Sequence, residues 1–169
     1  MSEFDQSQLE TQALSVGERL VQRGWSLVTA ESCTGGWIAQ TATAISGSSA
    51  WFDRGFVTYS NRAKMEVLGV AEATLVQHGA VSVEIAEEMV RGALVAAQVD
   101  IAVAVTGIAG PDGGTPDKPV GTVCFGWCTE KSKPLSRIIR FDGDRHSIRA
   151  QTVSVALDGL LALIDDTSV

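Results

Sequence analysis

The chain has 169 residues, 45% of them hydrophobic and 20% charged, which suits one folded domain with one sizeable core. Thirteen basic against twenty acidic residues leave a formal charge of −7. That balance argues against a general nucleic-acid binder, which needs a basic face to displace counterions, and leaves room only for a local basic pocket for a small anion.

Met1 to Asp5 is acidic and lacks the charged-then-apolar layout of a signal peptide. Leu9, Ala13, Val16 and Leu20 then fall on one helical face, closed by Gly24 as a C-terminal cap. The β-rich run Leu27 to Ala30 predicts a strand, and a helix is expected from about Gly35 to Ala44. Ser46-Gly47-Ser48-Ser49 has the composition of a loop. Trp51 to Ser60 reads as a second strand. Asn61 is placed to cap a short helix through Arg62, Lys64, Met65 and Leu68 that ends at Gly69. Another short helix is expected over Ala71 to His78, and Ser82 caps a longer one carrying Ile85, Met89 and Leu94.

Ile101-Ala102-Val103-Ala104-Val105 is unbroken and apolar, as in a central strand covered on both faces. It runs into a Gly- and Pro-rich segment, Gly107 to Pro119, too long and irregular to be a simple connection. Strands over about Val120 to Thr129 and Leu135 to Phe141 follow, and Asp142-Gly143-Asp144 turns into a last helix bearing Ile148, Thr152, Val155 and Ala156. Early alternation and adjacent late strands predict a single α/β domain over residues 1–169, core about 9–164. Its expected architecture is a three-layer α/β/α sandwich around a mixed, mostly parallel central sheet. No apolar run approaches membrane-spanning length. Three cysteines with no C-x-x-C and no Cys/His cluster argue against structural zinc, and free thiols suit a reducing compartment. The expectation is a cytoplasmic protein without membrane or nucleic-acid partners.

Ligands of such sheets sit where loops leave the strand ends. Ser32, Tyr59 and Thr106 each fall at the C-terminal end of a predicted strand. Ser32 and Cys33 are both candidate nucleophiles, sitting between a strand that holds them and a helix start whose free N–H groups attract an anion. The commoner fate of a hydroxyl at a helix start is to cap it. A nucleophilic serine needs a base. His78 and His146 show no supporting spacing, and two distant histidines make a weak metal site, so no metal is expected. Lys64, just past the Tyr59 strand end, is a candidate base if burial lowers its pKa; otherwise it is a solvated helix lysine.

Four ordered motifs then resemble the CinA C-terminal domain family: Thr29-Ala30-Glu31-Ser32-Cys33-Thr34-Gly35-Gly36; Gly47 to Phe52; Gly55 to Asn61 with Lys64; and Thr106 to Gly114, supported by Lys118 to Val123 and Gly143-Asp144-Arg145. The similarity runs from about Leu9 to Ile164 and is to the stand-alone form of the domain. It implies hydrolysis of nicotinamide mononucleotide to nicotinate mononucleotide and ammonia through an acyl-enzyme, with no cofactor and with a homodimer as a possible assembly. It further implies Ser32 as nucleophile, Lys64 as base and Ser49 as a serine relaying the proton between them. In that frame the amides of Cys33, Thr34, Gly35 and Gly36, and the Thr106–Gly107 turn, are candidate oxyanion donors. Tyr59 is a candidate contact for the pyridine nucleotide or a packing aromatic. Arg145, with Arg149 as second choice, is the candidate for the 5′-phosphate. Two rivals stand beside this reading: a cysteine hydrolase using Cys33, and a non-catalytic nucleotide-binding module.

Overall fold

The computed structural model describes residues 5–166; the reading of Met1 to Phe4 above lies outside them. Six helices and five strands follow one another as α1 (Gln6–Arg23), β1 (Leu27–Glu31), α2 (Trp37–Thr43), β2 (Phe52–Val57), α3 (Asn61–Leu68), α4 (Glu72–His78), α5 (Val83–Ala97), β3 (Ile101–Gly107), β4 (Thr122–Thr129), β5 (Leu135–Arg140) and α6 (Arg145–Asp166). One 3-10 turn, Ser48–Ala50, precedes β2.

The sheet order is β2-β1-β3-β4-β5. β1 pairs in parallel with both β2 and β3, while β4 is antiparallel to β3 and β5. Four strands therefore point one way and β4 the other, which is the mixed sheet expected. The reversal has a local cause: β3 returns through the 108–121 loop directly into its neighbour, without a crossover helix.

Strand alternation sorts the core into two layers. Leu27, Ile101, Val103, Val105, Val123, Phe125 and Trp127 face α1, α2 and α6. Val28, Ala30, Ala102 and Ala104 face α5 and the end of α3. The small residues on the second face let α5 lie close: a Cβ on Gly126 would meet the Ala86 carbonyl oxygen at 2.6 Å. α6 is the last helix expected from the sequence; it is long and apolar enough to cross a membrane by length and composition, although no apolar run of that length was expected. Here its apolar side, with Ile148, Val153, Leu157 and Leu160, is buried against the sheet as a core helix.

Two strand-to-helix junctions at one edge of the sheet prepare the site. β1 passes into α2 through a turn with Gly35 at φ 61° and Gly36 at φ 100°, left-handed values that a side chain resists. β2 passes into α3 through Thr58, Tyr59 and Ser60. The cap of α3 is Ser60, whose hydroxyl accepts from Ala63 N. The sequence reading gave that role to Asn61; the chain enters the helix one residue sooner, and Asn61 occupies the first helical position with its side chain unneeded for capping.

Candidate active site

A cavity of about 190 Å³ opens at the C-terminal ends of β1, β2 and β3. Its wall includes Ser32, Cys33, Tyr59, Asn61, Lys64 and Thr106, with Gly107 and Arg145 completing the side nearest α6. Ser32 comes from the end of β1 and Lys64 from the first turns of α3. Because β1 and β2 are parallel neighbours, the residues following each strand converge at the same edge.

Lys64 Nζ lies 2.9 Å from Ser32 Oγ and donates a second hydrogen bond to the Thr58 carbonyl at 2.9 Å. The side chain is only 1% exposed, and among the described residues no carboxylate pairs with it. Burial lowers its pKa below the ordinary lysine value, since the charged form loses more hydration than the neutral one. A buried lysine inclined toward neutrality and in contact with a serine hydroxyl can accept that hydroxyl's proton.

Cys33 sits beside this pair, 6% exposed. Burial first, and the charge of Glu31 second, push its thiol up to about 12. The thiol is therefore protonated at neutral pH, which makes it a poor nucleophile there. All three cysteines are buried and free.

The start of α2 departs from expectation. Gly36, its cap residue, has no side chain to offer, and the carboxylate of Glu31 takes that place. Glu31 accepts from the amides of Gly36 (3.1 Å), Ile38 (3.0 Å) and Ala39 (2.8 Å), and from the hydroxyls of Thr34 (2.6 Å) and Thr29 (3.4 Å). Gly35 N bonds to Ser32 O and Trp37 N to Thr34 O. The helix start is thus already filled by a protein anion. Thr34, Gly35 and Gly36 shape the turn and are not among the residues that line the cavity. Glu31 is the residue that sequence reasoning passed over, and its signal was there: an acid just before a glycine-opened helix complements the positive end of the dipole.

Arg149 was the second choice for a phosphate contact. Instead its guanidinium donates to the carbonyls of Cys33 (3.1 Å) and Thr34 (2.8 Å), and it lies 5.3 Å from the Trp37 ring centre. Glu31 holds the amide side of the turn and Arg149 the carbonyl side. Arg145 stays at the cavity, donating to Gly110 O at 2.7 Å and to the Tyr59 hydroxyl at 3.0 Å. Tyr59 itself is 62% exposed at the rim. Thr106 reaches the wall, but its hydroxyl already donates to Ala80 O at 2.8 Å.

Ser49 is not part of this cavity. It lies in the 3-10 turn before β2, exposed, at the edge of the sheet opposite Ser32: Leu27, which begins β1, pairs with Phe52. With a rise of about 3.3 Å per residue, the length of β1 alone separates the two serines by on the order of 15 Å. Within one chain the structure therefore does not bring Ser49 to Ser32 and Lys64, which already touch each other. His146 packs against Trp37, with ring centres 5.0 Å apart, and His78 lies 3.4 Å from Glu84; neither lines the cavity. Among the described residues no three His, Cys, Asp or Glu side chains converge as a metal-ligand set.

Residues 9–164 match the family described as CinA C-terminal domain. The chain belongs to that family. It is 52% identical over 160 residues to the nicotinamide-nucleotide amidohydrolase PncC of Escherichia coli, covering 95% of each chain. It is 54% identical over 155 residues to the PncC of Pseudomonas putida, covering 92% of this chain and 96% of that one. Among solved structures, the competence/damage inducible protein CihA of Agrobacterium tumefaciens superposes with a TM-score of 0.91 at 46% identity. That match covers 96% of this chain and 99% of the other.

Proposed function

We propose that this family member hydrolyses the exocyclic carboxamide of nicotinamide mononucleotide to nicotinate mononucleotide and ammonia, with Ser32 as nucleophile and Lys64 as its base. The observation that carries the reading is the 2.9 Å contact between Ser32 Oγ and the buried Lys64 Nζ at the floor of a polar cavity. The PncC relatives supply the substrate class.

Ser32 Oγ attacks the carboxamide carbon as its proton passes to neutral Lys64. The tetrahedral oxyanion collapses, the C–N bond breaks, and Lys64 returns the proton to the departing nitrogen, which leaves as ammonia. A water then attacks the acyl-serine ester while Lys64 takes its proton. The ester C–O bond breaks, Ser32 regains its proton, and the carboxylate product is released. Tyr59 and Arg145, hydrogen-bonded to each other at the rim, meet the nucleotide outside the reacting carboxamide. Arg145 faces the phosphate. This dyad replaces the three-residue relay that the resemblance implied.

The test is ammonia release from nicotinamide mononucleotide, with nicotinamide riboside and intact NAD as comparisons. Ser32→Ala should abolish release and leave nucleotide binding within a few-fold, while Cys33→Ala keeps most of the activity. Normal turnover by Ser32→Ala would end the assignment. Arg145→Ala should raise KM for the nucleotide more than for the riboside, since one charge-assisted contact is worth roughly 1.5–3 kcal/mol. Equal effects on both substrates would remove Arg145 as the phosphate anchor.

A further inference from the structure

The oxyanion formed when Ser32 attacks needs a hydrogen-bond donor, and several of the nearby donors already have protein partners. The amides of Gly36, Ile38 and Ala39 are held by Glu31 and that of Gly35 by Ser32 O, which leaves the Cys33 and Thr34 amides as the backbone candidates of this turn. The Thr106 hydroxyl donates to Ala80 O. Two of the Arg145 guanidinium N–H groups donate to Gly110 O and to the Tyr59 hydroxyl, which holds it at the rim. Lys64 is committed to Ser32 and Thr58 O, and the Cys33 thiol is a weak donor. Among the described residues lining the cavity, the exposed carboxamide of Asn61 is a side-chain donor that makes no hydrogen bond to the protein, beside the Tyr59 hydroxyl, which accepts from Arg145 at the rim.

Its position fits the task. Ser60 caps α3, so Asn61 is free of the capping role that residue types at helix starts usually take. Asn61 and Lys64 are three residues apart on one helix, and side chains at that spacing are neighbours on the same face. Both reach the same cavity wall as Ser32. The lysine that receives the proton and the amide that meets the resulting charge would then ride on a single rigid helix turn.

We propose that Asn61 is a further catalytic residue, its Nδ2–H donating to the oxyanion that develops on the substrate carboxamide oxygen. This rests on the Ser32–Lys64 hydrolase reading. The donor strengthens its bond as the carbonyl oxygen gains charge, so its contribution falls on the transition state rather than on ground-state binding.

The test pairs steady-state kinetics on nicotinamide mononucleotide with inhibition by pyridine-3-boronic acid, whose boron accepts a serine oxygen and becomes a tetrahedral anion. Asn61→Ala should lower kcat by about 10²–10³-fold with KM within a few-fold. Its boronate affinity should weaken in parallel and its melting temperature should stay near that of the wild type. Asn61→Asp, which replaces the donor by a carboxylate, should be at least as damaging. Wild-type kcat and boronate affinity in Asn61→Ala would overturn the proposal, as would a loss confined to KM or one that follows a lowered melting temperature. Ser32→Ala separates the two claims. If it is inactive and insensitive to the boronate while Asn61→Ala behaves as wild type, Asn61 fails and the dyad stands. If Ser32→Ala turns over normally, the dyad and the Asn61 role fall together.

Discussion

The two junctions that flank Ser32 bury ionisable groups equally deeply and treat them oppositely. At the β1–α2 junction Glu31 is 1% exposed and accepts five hydrogen bonds, three of them from backbone amides. At the β2–α3 junction Lys64 is also 1% exposed, yet it has a hydroxyl and one carbonyl for partners. A buried group whose hydrogen-bonding capacity is filled rigidifies what surrounds it. A buried cation with few acceptors is costly to keep charged and is poised to be neutral. The first junction fixes the turn that carries the nucleophile; the second makes a base. Stability and reactivity are thus divided between adjacent strand ends.

The largest effect should come from breaking the second junction. Lys64→Met keeps the apolar stem and removes the amine, and kcat should fall by about 10⁴-fold. Lys64→Arg should be nearly as inactive, because guanidinium stays protonated. Stability should move the other way in Lys64→Met, since an under-satisfied buried amine is gone. The pH dependence follows from the lowered pKa. Below the folded-state pKa of Lys64, folded and unfolded chains both carry the proton, and the folded state bears the full burial penalty. Between that pKa and 10.5, the ordinary lysine value, only the unfolded chain holds the proton, so unfolding free energy rises with pH. Above 10.5 the penalty is absent. Denaturant unfolding across this window should show the rise in wild type and lack it in Lys64→Met. In wild type, kcat/KM should climb through the same folded-state pKa. A flat kcat/KM profile, or near-wild-type turnover by Lys64→Arg, would reduce Lys64 to a local charge.

Breaking the first junction should cost fold before chemistry. Glu31→Gln keeps the shape and places an amide NH₂ against backbone N–H groups, leaving at least one buried donor unpaired. A loss of about 1–3 kcal/mol in unfolding free energy is expected for each such donor. Activity should fall with it, because the Ser32 turn loosens, while the pH at which the remaining kcat/KM rises should stay that of wild type. A shift of that pH would mean that Glu31 acts on Lys64 electrostatically, and the division of labour between the junctions would fail.

Much of this was legible because it is local. Helix faces such as Leu9, Ala13, Val16 and Leu20, the glycine stops at Gly24 and Gly69, and the Ser82 cap all depend on neighbours within a few residues. Ser32 and Lys64 were nominated as strand-end and post-strand residues, and parallel pairing of β1 and β2 brings such residues together. Glu31 was missed because a residue in a strand pattern reads as strand; four of its five donors come from the turn and helix that follow, which curl back over it. The Ser60 and Asn61 exchange is a one-residue boundary error between two good capping types, yet it frees the side chain now proposed for the oxyanion. Arg149 needed tertiary information outright, since its acceptors lie 116 and 115 positions away.

The smallest effect is expected at Ser49, and it probes whether the comparison of junctions is complete. The resemblance placed Ser49 between Ser32 and Lys64. The structure places it before β2, exposed, at the other edge of the sheet. A relay requires hydrogen-bond contact on both sides, and Ser32 and Lys64 already touch each other. An exposed serine in a 3-10 turn also contributes little to stability, within about 0.5 kcal/mol for an ordinary surface substitution. Ser49→Ala should therefore keep kcat and KM within about two-fold and leave the melting temperature nearly unchanged. Combined with Lys64→Met it should add nothing, as independent surface changes do. Should Ser49→Ala instead lose activity on the scale of Lys64→Met with the fold intact, a serine more than a strand length away would have to act from a second copy of the chain. Mixing inactive Ser49→Ala with inactive Ser32→Ala protein would decide it: recovered ammonia release would place Ser49 in a shared site, and no recovery would confine the chemistry to one chain.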